Sequence, residues 1–175
     1  MIYKFKFETV YSEIEPIPLS AQYRMDCTGV RFNPETWNCL SDEARALFCH
    51  LPVKTKKDKE CYKSYILYLL KRKRRWVSLL DPDQTARDKA QWENLFRIPD
   101  KVYQMAIDLD FTLSPQDWLK MSDFKRYIIF KLAQGIHSTD YLKKALGELL
   151  RKESKISAWK SEVEKHPETA SKFVS

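Results

Sequence analysis

One pattern occurs twice in this chain, and it constrains the fold more than anything else in the 175 residues. Ile17-Pro18, Pro34, Trp37, Ser41-Asp42 and Arg45 return as Ile98-Pro99, Pro115, Trp118, Ser122-Asp123 and Arg126, each shifted by 81 residues and with no gap between Ile17 and Leu47. Seven identities in 31 aligned positions exceed the roughly two that composition supplies. The matched types (Pro, Trp, Arg and a helix-starting Ser-Asp) belong to structural anchors. The pattern reads as a duplicated unit.

Each copy reads as a short series of helices. Residues 19–28 look helical and end at Gly29, a residue suited to the left-handed C-cap. Val30-Arg31-Phe32 is an extended link. Asn33 caps the next helix, Pro34 takes its first position, and Phe32 and Trp37 have the spacing of a hydrophobic staple. Ser41 starts a helix that runs to about His50, with Asp42 and Glu43 favourable to its dipole. In the second copy Pro99 opens a helix, Asp110 stands where Gly29 stood, Ser114 caps, Pro115 follows, and Leu113 and Trp118 form the staple. Ser122 starts a helix towards Gly135. Phe32, Pro34, Trp37, Arg45, Leu113, Pro115, Trp118 and Arg126 are therefore read as structural anchors. Arg45 and Arg126, three residues after Asp42 and Asp123, suit ion pairs on one helix, or ties to the carbonyls of a neighbouring helix.

The rest of the chain fits around these units. Residues 3–11 alternate aromatic and charged types, which predicts an extended segment, paired within one chain or across two. A long amphipathic helix is expected over 56–75, with Tyr62, Tyr65, Ile66, Leu69 and Leu70 on one face. Asp81-Pro82-Asp83 is read as a break, followed by a helix over about 84–96. Ser138 or Thr139 caps a helix through Leu149, and 151–175 is polar, helical to about Lys165 and then frayed. Three glycines argue against an all-β chain with many tight turns. The expected architecture is all-α: one domain over 1–175, with pseudo-repeats 17–53 and 98–135 sharing a core. Helices in 54–76 and 84–96 link them, and a C-terminal helix and tail occupy 138–175. No apolar run approaches a membrane span, and the N-terminus lacks a signal-peptide core, so the expected location is cytoplasmic.

Chemistry is harder to find. Cys27, Cys39, Cys49 and Cys61 form no C-x-x-C pair and fit no standard zinc framework. A metal site using Cys49, His50 and Cys61 competes with reduced cysteines acting as small apolar residues. His50, His137 and His166 have no supporting partner pattern, and no phosphate loop, nucleophile elbow or zinc helix is present. No catalytic residue, metal or cofactor is expected. The net charge of +7 is concentrated: Lys54–Arg75 holds ten Lys or Arg and two acids, +8, which leaves −1 for the remainder. Within it, Lys71-Arg72-Lys73-Arg74-Arg75-Trp76 is the candidate binding patch. It suits an acidic protein face, a nuclear import signal, or a nucleic acid with Trp76 stacked on a base. Equally, cations at a helix C-terminus are a plain response to the dipole.

The run Gln22-Tyr23-Arg24-Met25-Asp26-Cys27-Thr28-Gly29-Val30-Arg31-Phe32 after Ile-Pro, then Trp37-Asn38, Glu43-Ala44-Arg45 and Leu51-Pro52, resembles the nitrate reductase associated protein family. So do Trp92, Ile98-Pro99, Pro115-x-x-Trp118, Arg126 and Lys131-Leu132. The similarity covers roughly residues 3–150. It implies an accessory protein of assimilatory nitrate reductase, an enzyme with a molybdenum cofactor and an iron–sulfur cluster. The implied role is assembly or activation of that enzyme through protein contact, not nitrate reduction. Two features depart from the family pattern: Val53 where a Cys follows Leu-Pro, and the basic run at Lys71–Arg75. A helical nucleic-acid-binding protein using 54–76 is the alternative.

Overall fold

A computed structural model describes residues 4–10, 17–31, 33–72 and 78–150. Helices dominate them: α1 (Lys6–Val10), α2 (Leu19–Thr28), α3 (Pro34–Asn38), α4 (Asp42–His50), α5 (Lys56–Arg72), α6 (Pro82–Glu93), α7 (Asp100–Asp108), α8 (Pro115–Lys120), α9 (Asp123–Gln134) and α10 (139–150). The all-α class is correct. The described strands, β1 (Val30–Arg31) and β2 (Ser78–Leu79), form one antiparallel ribbon with Val30 opposite Leu79. The pairing of 78–79 with the extended link is a feature the sequence reading lacked.

Local chemistry explains most helix ends. Asn33 Oδ1 accepts from Thr36 N at 2.8 Å, and Pro34 takes the first turn of α3. Ser114 and Asp117 form a reciprocal capping box on α8, again with Pro115 in its first turn. Ser41 and Ser122 cap α4 and α9 through Ala44 N and Lys125 N, and Ser138 accepts from Tyr141 N. Gly29 ends α2 at φ 70°, its N–H reaching Met25 O. Asp110 ends α7 at φ 60°, where Asp110 N reaches Ile107 O at 3.0 Å and Phe111 N reaches Ala106 O at 2.8 Å. The two helices thus close with a single αL bond and with a Schellman pair, respectively.

Two expectations are corrected. The period-two segment is not extended over 6–10: it forms α1. Its N–H groups are held by carboxylates, Phe5 N by Glu8 Oε2 at 2.8 Å, and Lys6 N and Phe7 N by Glu148 at 3.1 Å each. Phe5 and Phe7 stack at 5.4 Å and are buried. Tyr3 and Tyr11 lie outside the described residues. Secondly, α6 begins at Pro82 and ends at Glu93, not at 84 and 96. Pro82 is an N-terminal helix residue here, since a proline lacks only an N–H that the first turn leaves unused. Asn94 ends the helix by accepting from Phe96 N and Arg97 N. Helix α5 is described to Arg72; residues 73–75 of the expected helix lie outside the described residues, as do 151–175.

Two apolar clusters form the interior. One gathers Trp37, Phe48, Tyr62, Ile66 and Leu70 from α3, α4 and α5 with Met25 of α2. The other gathers Trp92, Trp118, Tyr127 and Phe130 with Phe5, Phe7 and side chains of α7 and α10. Leu19 of α2 belongs to the second and Ala21 to the first, and Tyr23 packs against both. Helix α2 therefore joins the halves.

Candidate partner-binding surface

The long helix α5 is built to be held on one side only. Thr55 and Asp58 cap it reciprocally, Thr55 N to Asp58 Oδ2 at 2.8 Å and Asp58 N to Thr55 Oγ1 at 3.1 Å. Hydrogen bonds from the Thr55 backbone N–H and side chain hold the Asp58 carboxyl below its ordinary range. Tyr62, Ile66 and Leu70 face the core, and the Tyr62 hydroxyl donates to Phe48 O at 3.2 Å. Among the described residues the other side is open: Cys61, Ser64, Leu67, Tyr68, Lys71 and Arg72 are exposed. Arg72 donates to the Tyr68 hydroxyl at 3.2 Å, with its guanidinium carbon 5.7 Å from the ring centroid.

Of the candidate patch, Lys71 and Arg72 thus sit on the exposed end of α5; Lys73, Arg74, Arg75 and Trp76 lie outside the described residues. Among the anchors, Trp37 and Trp118 are 2% and 0% exposed, one in each apolar cluster. Leu113 is buried in the cluster of Trp118, while Phe32 lies outside the described residues. Pro34 and Pro115 are exposed at their helix starts.

The twin arginines differ. Arg45 pairs with Asp42 at 3.2 Å and its buried Nε has no hydrogen-bond partner among the described residues. Arg126 is 2% exposed and all three of its nitrogens donate: Nε to Trp92 O at 2.8 Å, Nη1 to Met121 O and, at 3.5 Å, to Trp118 O, and Nη2 to Asp123. Its guanidinium lies 6.0 Å from the Trp118 ring centroid. The Trp118 indole donates to Asn94 O at 2.8 Å. Arg126 therefore ties the end of α6 to the turn between α8 and α9.

A buried carboxylate was not singled out from sequence. Asp26, 6% exposed on α2, accepts from Arg31 at 2.7 Å, from Lys131 at 2.9 Å and from the Tyr127 hydroxyl at 2.8 Å. Burial alone would raise its pKa, but Lys131 and Arg31 hold it below 3.8. The Tyr127 hydroxyl is pushed well up by burial and by the Asp26 charge. This tie joins α2, β1 and α9. A signal existed: Asp26, Arg31 and Lys131 are among the residues that carry the family resemblance. Their meeting place, however, depends on packing between residues 101 apart. A cavity of about 220 Å³ beside it is lined by Asp26, Arg31, Thr85, Asp88 and Trp92, among others.

The cysteines divide between core and surface, Cys49 buried and Cys61 exposed on α5. Val53 is buried in the first apolar cluster, a position an apolar side chain fills well. Among the described residues no three His, Cys, Asp or Glu side chains are placed to share a metal ion, and no helix is long and apolar enough to cross a membrane.

These features define, over the described residues, a helical protein with two apolar clusters joined through α2 and one long helix whose outer side chains are exposed. The chain belongs to the family described as conserved nitrate reductase-associated protein, whose model matches residues 2–149. No curated protein and no solved structure matches it.

Proposed function

We propose that this is a non-catalytic accessory protein that binds assimilatory nitrate reductase and supports its assembly or activation. Family membership over residues 2–149 carries the reading, because the family is described as nitrate reductase-associated. The exposed outer side of α5 supports it as a surface available for protein contact. Two buried charged groups are used in cross-ties: Arg126 on four main-chain and side-chain acceptors, Asp26 on three donors. Such ties serve to hold a scaffold together.

Two measurements in the native host test the proposal. Affinity capture of the tagged protein is expected to recover nitrate reductase, and deletion of the gene is expected to lower nitrate reductase activity without lowering its transcript. Capture that recovers no molybdoenzyme, together with normal activity in the deletion strain, refutes it. Nitrate reduction by the purified protein alone would refute the non-catalytic part.

A further inference from the structure

We infer that the outer face of α5 is a protein-docking strip, and that its partner presents an apolar stripe bracketed at both ends by acidic residues. The inference rests on the accessory reading and adds which face makes contact and the chemistry of the surface it meets.

Three observations carry it. The first is the order of side chains along the helix. Lys54, Lys56 and Lys57 are exposed at one end, and Lys71 and Arg72 at the other. Between them Cys61, Ser64, Leu67 and Tyr68 are exposed and uncharged, and Leu67 and Tyr68 are 44% and 56% exposed. The single charge from Cys61 to Leu70 is Lys63, which is half-buried. Spacings of three and four residues place Cys61, Ser64, Leu67, Tyr68 and Lys71 along one side.

The second is where the cations stand relative to the helix dipole. Lys71 and Arg72 at the C-terminus are favourable there. Lys54, Lys56 and Lys57 stand at the N-terminus, where positive charge opposes the dipole. Asp58 and Glu60 offset part of this, the latter 4.0 Å from Lys56. Helix stability therefore accounts for one basic end and not the other, whereas an acidic partner spanning both ends accounts for the pair. From Lys57 to Arg72 the strip is about 22 Å long at 1.5 Å per residue, about four turns of a partner helix.

The third is the charge-poor centre. A nucleic acid presents phosphates continuously, one charge per about 1.7 Å of duplex, so it calls for cations along the whole strip. A protein contact has the arrangement seen here: a centre poor in charge and holding an aromatic, with charges at the rim. Tyr68 is also held in place by Arg72, so little side-chain freedom is left to lose on contact.

The test uses the full-length chain and two probes: nitrate reductase purified from the same host, and a designed 18-residue helix with a leucine stripe flanked by glutamates. Leu67→Asp and Tyr68→Asp are each expected to weaken binding of both probes by tenfold or more. The double variant Lys57→Glu/Arg72→Glu is expected to weaken it and to flatten its salt dependence. Tyr103→Asp, at an exposed position of α7, is expected to leave binding unchanged. All five positions are exposed, so unaltered circular dichroism separates lost contact from lost fold. Reductase bound equally well by the Leu67 and Tyr68 variants overturns the docking strip and leaves the accessory reading standing. Reductase not bound at all removes the accessory reading, and the peptide then decides: binding lost in the variants supports the strip, and no peptide binding overturns it. Duplex DNA bound more tightly than the peptide, and independently of Leu67 and Tyr68, also overturns it.

Discussion

Arg45 and Arg126 occupy matching places in the sequence pattern, yet their surroundings predict very different costs for the same substitution. In Arg126→Met the carbonyls of Trp92 and Met121 lose their guanidinium donors at a site that is 2% exposed. An unsatisfied buried acceptor costs about 1–3 kcal/mol, so two cost about 2–6 kcal/mol. The methionine restores apolar contact worth about 1–2 kcal/mol. The bond to Asp123, a side chain 60% exposed, adds little. The expected loss is about 3 kcal/mol. In Arg45→Met a pair to an 83%-exposed Asp42 disappears, worth about 0–1 kcal/mol. The same change removes a buried Nε–H that has no partner among the described residues, so the net effect is near zero. Urea unfolding followed by tryptophan fluorescence measures both. With a slope of about 2 kcal/mol/M, Arg126→Met is expected to lower the midpoint by about 1.5 M and Arg45→Met by under 0.5 M. Equal shifts in the two variants, or a shift below about 0.3 M for Arg126→Met, would refute the assignment of Arg126 as a main-chain tie.

Further outcomes follow from the interior and the helix ends. Trp37→Ala and Trp118→Ala are each expected to cost about 3–5 kcal/mol in the same unfolding assay, since both rings are buried. The folded-state pKa of Asp26 lies below its ordinary 3.8, so its contribution is present above that value and is lost as pH falls through the depressed one. Unfolding free energy measured from pH 6 down to pH 2 is therefore expected to fall in the acid range, and Asp26→Asn is expected to lower stability near neutrality and to shrink that acid loss. Gly29→Ala is expected to cost about 1 kcal/mol through its φ of 70° alone, because a Cβ there meets nothing within 4 Å. Asp110→Gly, at φ 60°, is expected to raise the thermal midpoint slightly.

Features that depend on a few neighbouring residues were legible in the sequence. Asn33-Pro34 and Ser114-Pro115 announce helix starts because cap and first-turn preferences act within four residues. Gly29 and Asp110 announce left-handed helix ends for the same local reason. The buried face of α5 followed from periodicity, since spacing along a helix dictates which side chains share a side. Local reading failed where a distant group intervened. Lys6–Val10 is a helix because Glu148, some 140 residues away, takes its first N–H groups, and no alternation within 3–11 contains that fact. Pro82 was read as a break because a proline can end one helix or begin another.

By itself, then, the sequence determined the helical class, most of the helix ends, the burial of Trp37 and Trp118 and the family resemblance. All are properties of short-range sterics, periodicity or residue identity. Tertiary structure alone decided that Arg126 is a cross-tie while its twin Arg45 is a partly exposed pair. It alone brought Asp26, Arg31, Tyr127 and Lys131 together, and left Leu67 and Tyr68 of α5 uncovered between two basic ends. Each depends on which surfaces meet across the fold, and therefore on which polar groups are removed from water and which remain in it.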